Sequence, residues 1–224
     1  MEMRYPDRMI RRFAAIALLC LLATPAFAQA GAPPAPTPAQ NQAPVTAPKP
    51  ATVHVTLVTT EGTITLELEK ERAPITTANF LRYVTAKRLD GMTFYRAMKF
   101  GDGGGLVQGG VRNDPKRLFP PIALEPTSRT GLAHLDGTIS MARTAPNSAT
   151  ADFFITIGPM PSLDADPKQP GDNLGFAAFG HVVDGMDVIR RIRDAPTSPT
   201  EGEGVMKGQM LAPPVRIISA RRVD

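Results

Sequence analysis

Histidine carries much of the acid–base and metal chemistry available near neutral pH, and this 224-residue chain has three, His54, His134 and His181. They lie far apart and none falls in an H-E-x-x-H or i, i+4 pattern, so the spacing predicts satisfied or exposed imidazoles and no metal site. No G-x-S-x-G elbow is present, which removes serine hydrolysis of that kind. The glycine run Gly101-Asp102-Gly103-Gly104-Gly105 has neither the Lys-Ser/Thr of a phosphate loop nor the G-x-G-x-x-G spacing, and reads as a flexible loop or bulge. Asp164, Asp166 and Asp172 miss the calcium-loop spacing and read as a solvated turn. The one cysteine, Cys20, lies in an apolar run near the N-terminus and offers no thiol chemistry to the rest of the chain. What stays open is chemistry that needs neither nucleophile nor base.

The elements that must position such a site begin late in the chain. Residues 1–28 read as an export signal: Arg11 and Arg12, an apolar core from Phe13 to Leu22, and a small-x-small cleavage site at Ala26-Phe27-Ala28. Translation from Met1 or from Met9 serves that reading equally. The apolar run is short for a membrane span, so no stable insertion is expected after cleavage. Cys20 follows Leu19, not a small residue, so no lipid anchor is expected. Residues 29–51 are rich in proline and alanine and read as an extended spacer with nothing to bury. The expected domain is 52–224.

Within it, Val53, Val55 and Leu57, then Ile64, Leu66 and Leu68, alternate with polar residues around Glu61-Gly62, which predicts a hairpin with one buried face. Pro74 precedes a predicted helix over about Thr77 to Ala86, with Thr76 as its cap and Phe80, Leu81 and Val84 facing inward. Short apolar runs follow at Met92–Met98, Leu106–Gln108, Thr138–Ala142, Phe153–Ile157 and Ala177–Val183. A second helix opens at Asp184 or Gly185 with Met186, Ile189 and Ile192 on one stripe, and Pro214 to Ile218 give a last strand. Many short strands and two helices without a βαβ rhythm argue for an antiparallel barrel or sandwich.

Composition agrees. The chain is 42% hydrophobic and 21% charged, with a formal net charge of +4. Setting aside Arg4, Arg8, Arg11 and Arg12 with Glu2 and Asp7 leaves 21 bases against 19 acids, a net of +2. That near-neutral balance gives no support for nucleic-acid binding.

Three ordered blocks resemble the cyclophilin family of peptidyl-prolyl cis/trans isomerases. Phe94-Tyr95-Arg96 with Leu106-Val107-Gln108-Gly109-Gly110 is similar to F-H-R followed by F-M-x-Q-G-G. Ser140-Met141-Ala142-Arg143, Pro146-Asn147-Ser148 and Asp152-Phe153-Phe154-Ile155 resemble S-M-A-N, P-N-T and Q-F-F-I. Phe179 to Met186 resembles F-G-x-V-x-x-G-M. The resemblance runs from about Thr52 to the C-terminus. It implies a closed eight-stranded antiparallel β-barrel capped by two α-helices, with no cofactor and with proline-containing polypeptides as clients.

The reaction so implied is rotation about an X-Pro bond. By the resemblance, Arg96 is the catalytic donor to the prolyl nitrogen. Phe154, Leu106 and Leu163 hold the proline ring, Gln108 meets the substrate backbone and Ala142 lines the groove. Asp152 stands where the family has glutamine, and Phe176 where it has a histidine beside the pocket. Asp152 is expected to pair with Arg96 or Arg143. The interval from Arg96 to Gln108 is several residues longer than in the family. The family's phenylalanine falls on Gly105, unless Phe100 reaches back, and its tryptophan falls near Ser162. These changes predict reduced or selective activity and weak binding of the cyclic peptide drug for which the family is known. The expectation is an exported, periplasmic or secreted monomeric isomerase. The rival is the same frame acting as a binder of proline-containing segments; a ligand-binding barrel without proline preference has only generic β composition behind it.

Overall fold

Two β-strands, β1 (Thr52–Thr59) and β2 (Gly62–Glu69), open the computed structural model, which describes residues 50–112, 114–168 and 170–223. The export signal and all but the end of the spacer lie outside the described residues. The strands pair antiparallel from Thr52↔Glu69 to Thr59↔Gly62, so Val53, Val55 and Leu57 face Leu68, Leu66 and Ile64, and all six are buried. Alternation puts these side chains on one face.

The helix α1 (Pro74–Thr85) starts three residues before its expected beginning. Proline suits a first helical turn, where its missing N–H would have no partner anyway. Thr76 is not the cap: Ala73 occupies that place and offers no side-chain bond. The free amides are met instead by the buried carboxylate of Glu125. It accepts from the Ile75 N–H at 3.2 Å and from the Thr76 N–H and hydroxyl, each at 2.7 Å. An anion at this end also meets the positive pole of the helix.

The remaining strands are β3 (Thr93–Lys99), β4 (Gly105–Gly110), β5 (Thr138–Met141), β6 (Phe153–Ile157), β7 (Ala177–Asp184), the two-residue β8 (Thr197–Ser198) and β9 (Met210–Val223). Eight of the nine strands run β1-β2-β7-β5-β6-β4-β3-β9 with every pairing antiparallel, and β9 pairs back onto β1. The ring is closed, which leaves β8 as a short flank on β9. The last strand is far longer than Pro214–Ile218 because it serves two neighbours. Its first half meets β3 (Arg96↔Met210, Thr93↔Arg216) and its second half meets β1 (Thr59↔Ile217, His54↔Val223).

Helix α1 packs on β2, β7 and β9, and α3 (Met186–Asp194) packs on β2, β3, β4 and β6. The single turn α2 (Thr127–Thr130), unforeseen in the sequence, lies between β4 and β5. Phe80 of α1 meets Phe153 edge-on at 5.4 Å and Phe179 at 5.4 Å, and Phe153 also meets Phe94 at 5.7 Å. Val188, Ile189 and Ile192 close the core from α3. No helix among the described residues is long and apolar enough to cross a membrane.

Candidate active site

Strand alternation sends Phe153 into the barrel and Phe154 out of it. Phe154 joins a second, smaller apolar cluster with Leu106 and Met160, flanked by Met98, Ala142, Leu163 and Phe176. Register builds the rest of the site. Arg96 of β3 faces Gln108 of β4, Gln108 faces Phe154 of β6, and Met98 faces Leu106. A cation, an amide and an aromatic ring thus form one row across three strands.

A bulge interrupts that row usefully. Phe94 pairs with Gly109 and Arg96 with Gln108, so Tyr95 is the extra residue on β3. Bulges re-aim side chains, and here Tyr95 and Arg96 both reach the same outer cavity. Its volume is about 800 Å³, and it collects all eight residues named from sequence: Arg96, Leu106, Gln108, Ala142, Asp152, Phe154, Leu163 and Phe176.

Arg96 is held without a carboxylate among the described residues. Its Nε donates to Gln209 Oε1 at 2.8 Å and its Nη1 to Gln108 Oε1 at 2.9 Å, while Nη2 lies 3.9 Å from the Met98 sulfur. Burial pulls its pKa below the ordinary arginine value, opposed by the nearby Tyr95. A guanidinium nevertheless stays protonated in proteins.

The expected pairing of Asp152 with Arg96 or Arg143 is not formed. Asp152 Oδ1 accepts the backbone N–H groups of Val111 at 2.7 Å and Arg112 at 2.9 Å, and Oδ2 accepts the Tyr95 hydroxyl at 3.0 Å. Burial raises the Asp152 pKa, against the lowering effect of these donors. Arg143 is taken by Asp172 through two bonds of 2.6 and 2.8 Å, and its Nε donates to the Gly175 carbonyl. That pairing, helped by the Leu174 N–H, lowers the Asp172 pKa to about 2. Gln108 also differs from expectation, because both ends of its amide are engaged within the protein. Its oxygen faces Arg96 and its nitrogen donates to the Tyr95 oxygen at 2.8 Å.

Phe176 stands edge-on to Phe154 at 5.4 Å and the Arg143 guanidinium lies 5.2 Å over the Phe176 ring. Phe100 does not reach back. It sits at the hairpin tip, 46% exposed, where its N–H donates to the Gly104 carbonyl. The glycine run is a closed turn, with Asp102 accepting the Gly104 N–H at 3.0 Å. Gly105 has φ of +142°, and a Cβ there would lie 2.0 Å from the Met98 carbonyl oxygen, so no side chain fits. Ser162 is exposed in the turn Pro161–Leu163 and does not line the cavity.

Several contributors carried no sequence signal. Met206, Glu201 and Glu203, on the connection leading into β9, line the cavity together with Met210, the first residue of that strand. Gln209 sits just before Met210. His134 is fully buried behind Phe154, stacked at 5.9 Å and 16°. Its Nδ1 is 2.6 Å from Asp164 and its Nε2 is 2.9 Å from the Ser140 hydroxyl. It is thus the satisfied histidine that its lack of metal spacing predicts. Its position six residues before Ser140, within reach of the second block, is the one clue the sequence held. No group of three or more potential metal ligands occurs among the described residues.

Comparison with known proteins agrees with this geometry. The family described as cyclophilin type peptidyl-prolyl cis-trans isomerase matches residues 54–222. Peptidyl-prolyl cis-trans isomerase A of Dickeya dadantii is 38% identical over 148 residues, covering 64% of this chain and 73% of that protein. A peptidyl-prolyl cis-trans isomerase of Acinetobacter baylyi is 35% identical over 173 residues, covering 76% of this chain and 86% of that protein. Among solved structures, a Cryptosporidium parvum cyclophilin type isomerase, crystallised in the presence of the dipeptide Ala-Pro, matches with a TM-score of 0.60 at 21% identity. That match covers 76% of this chain and 99% of that one. The outer cavity on a closed eight-stranded barrel, the ordered blocks and these relatives together make the chain a member of the cyclophilin family of peptidyl-prolyl cis/trans isomerases.

Proposed function

We propose that this isomerase acts on exported proteins, with Arg96 stabilising the twisted X-Pro amide and the Phe154 cluster holding the proline ring. The barrier to rotation, roughly 18–20 kcal/mol, comes from amide resonance. Catalysis requires tighter binding of the twisted form than of either planar one. Twisting localises a lone pair on the prolyl nitrogen, and a fixed donor aimed there acts on the transition state preferentially. The observation that carries the reading is Arg96 itself: a guanidinium oriented by two amide oxygens, unneutralised by any carboxylate among the described residues, at the edge of an apolar pocket. Its planar fork and permanent charge suit the task.

Leu106, Leu163, Phe154, Phe176 and Met98 supply the apolar walls for the ring, and Ala142 the adjoining groove. Proline-containing segments are the partners, bound by one monomer at a time. The signal-like residues 1–28 and the spacer 29–51 support export to a periplasm or beyond. A weakly catalytic binder is the second reading, favoured by the bare backbone at Gly105 and the outward Ser162. Exchange NMR on a short X-Pro peptide separates them. Faster exchange that Arg96→Ala largely abolishes supports the enzyme. Peptide binding without faster exchange supports the binder.

A further inference from the structure

The hydrogen bonds that reach Arg96 form a chain in which every link has a direction. At one end, Asp152 Oδ1 is occupied by two backbone N–H groups and Oδ2 faces the Tyr95 hydroxyl. A carboxylate only accepts, so the Tyr95 hydrogen points at Asp152. Tyr95 then has only lone pairs to offer Gln108, whose nitrogen, 2.8 Å away, must donate. That decides which way the Gln108 amide is turned, and its oxygen therefore faces Arg96 at 2.9 Å. On the opposite side Gln209 is fixed in the same manner. Its Nε2 donates to the Val205 carbonyl at 2.8 Å, which leaves its oxygen for Arg96 Nε.

We propose that Asp152 is a positioning residue for Arg96: through Tyr95 and Gln108 its carboxylate sets the direction of the chain that holds the guanidinium at the proline pocket. The inference rests on the reading of Arg96 as the donor to the twisted amide. The Asp152 carboxylate makes no hydrogen bond to Arg96, yet it decides whether Arg96 meets an acceptor or a donor. An amide at this position reverses the chain without emptying it. In Asp152→Asn the side-chain oxygen still accepts from Val111 and Arg112, and the new NH2 faces Tyr95. Gln108 is then the remaining partner that can accept the Tyr95 hydrogen; accepting it turns the Gln108 amide over, and two sets of N–H donors confront each other at Arg96.

Two readouts on the protein with a short X-Pro peptide test this. The first is the isomerisation rate of the bound peptide by exchange NMR, taken beside the peptide Kd. The second is the Arg96 guanidinium 15N signal without peptide. Asp152→Asn is expected to slow the bound step roughly tenfold, the scale of one oriented hydrogen bond to a charged group, with Kd unchanged. It is also expected to shift the Arg96 signal. Tyr95→Phe cuts the chain, so adding Asp152→Asn to it should change neither readout further, the non-additivity of residues acting as a unit. Should Asp152→Asn melt early, Tyr95→Phe carries the test, since it leaves the Asp152 bonds to backbone in place. The proposal is overturned by an unchanged bound rate, by a loss confined to Kd, or by additive losses in the double variant. If the wild type accelerates nothing, the isomerase reading fails, while the guanidinium signal still decides whether the chain exists.

Discussion

Arg96 was legible because the family's blocks place it. Phe154 was legible for the same reason: alternation sends one of Phe153 and Phe154 outward, and the family's blocks say that the outward one is Phe154. Gln209, Met206 and Met210 were not, because they approach the site from the far end of the chain, by a connection with no repeating pattern. One substitution separates charge from geometry at the centre of the site. Arg96→Lys keeps the charge but cannot reach Gln108 and Gln209 with a planar fork; it should lose roughly tenfold or more in kcat/KM while the thermal midpoint stays near that of the wild type. The missing aromatics behave differently from each other. Ser162→Trp sits on an exposed turn and should fold normally and tighten binding of proline peptides and of the family's cyclic peptide drug, read by titration. Gly105→Phe collides with the Met98 carbonyl at a left-handed φ, and should unfold at markedly lower urea. The aromatic absent at Gly105 therefore cannot be restored by substitution alone.

Among the elements, periodicity and short apolar runs located all eight barrel strands and both packing helices, and boundaries slipped where the deciding partner is distant. The start of α1 is an instance: its cap, Glu125, comes from fifty residues downstream, so local pattern pointed to Thr76. Glu125→Ala should cost about 1–2 kcal/mol, the usual value of a lost helix cap, seen as a lower urea midpoint with the isomerisation rate of the folded protein unchanged. A second element-scale prediction concerns the segment behind Phe154, where His134 ties Ser140 of β5 to Asp164 after β6. Burial lowers the His134 pKa and Asp164 only partly opposes this. The unfolded chain, with histidine near 6.5, thus takes up a proton that the folded chain resists. Stability should be full above that pH and fall as pH drops from there through the folded value. Thermal melts across pH should show this slope, and His134→Gln should flatten it.

At the scale of the whole molecule, the barrel was expected and found, but the composition and periodicity of the chain left barrel and sandwich equally open until the family blocks were weighed. What periodicity could not reveal is closure, since it is made by β9 pairing with both β3 and β1. Removing 219–224 strips β1 of its partners from His54 to Val58 and takes Ala220 from the core; the cooperative urea transition should disappear. The same closure has a meaning in time. The ribosome, and any export channel, delivers this chain from its N-terminus, so the strand that completes the ring and the glutamine that steadies Arg96 arrive last. Sequence-distant pairing of this kind is slow to form. A half-delivered chain therefore has Arg96 but not the Gln209 that orients it, and the isomerase is complete only after its own folding is finished.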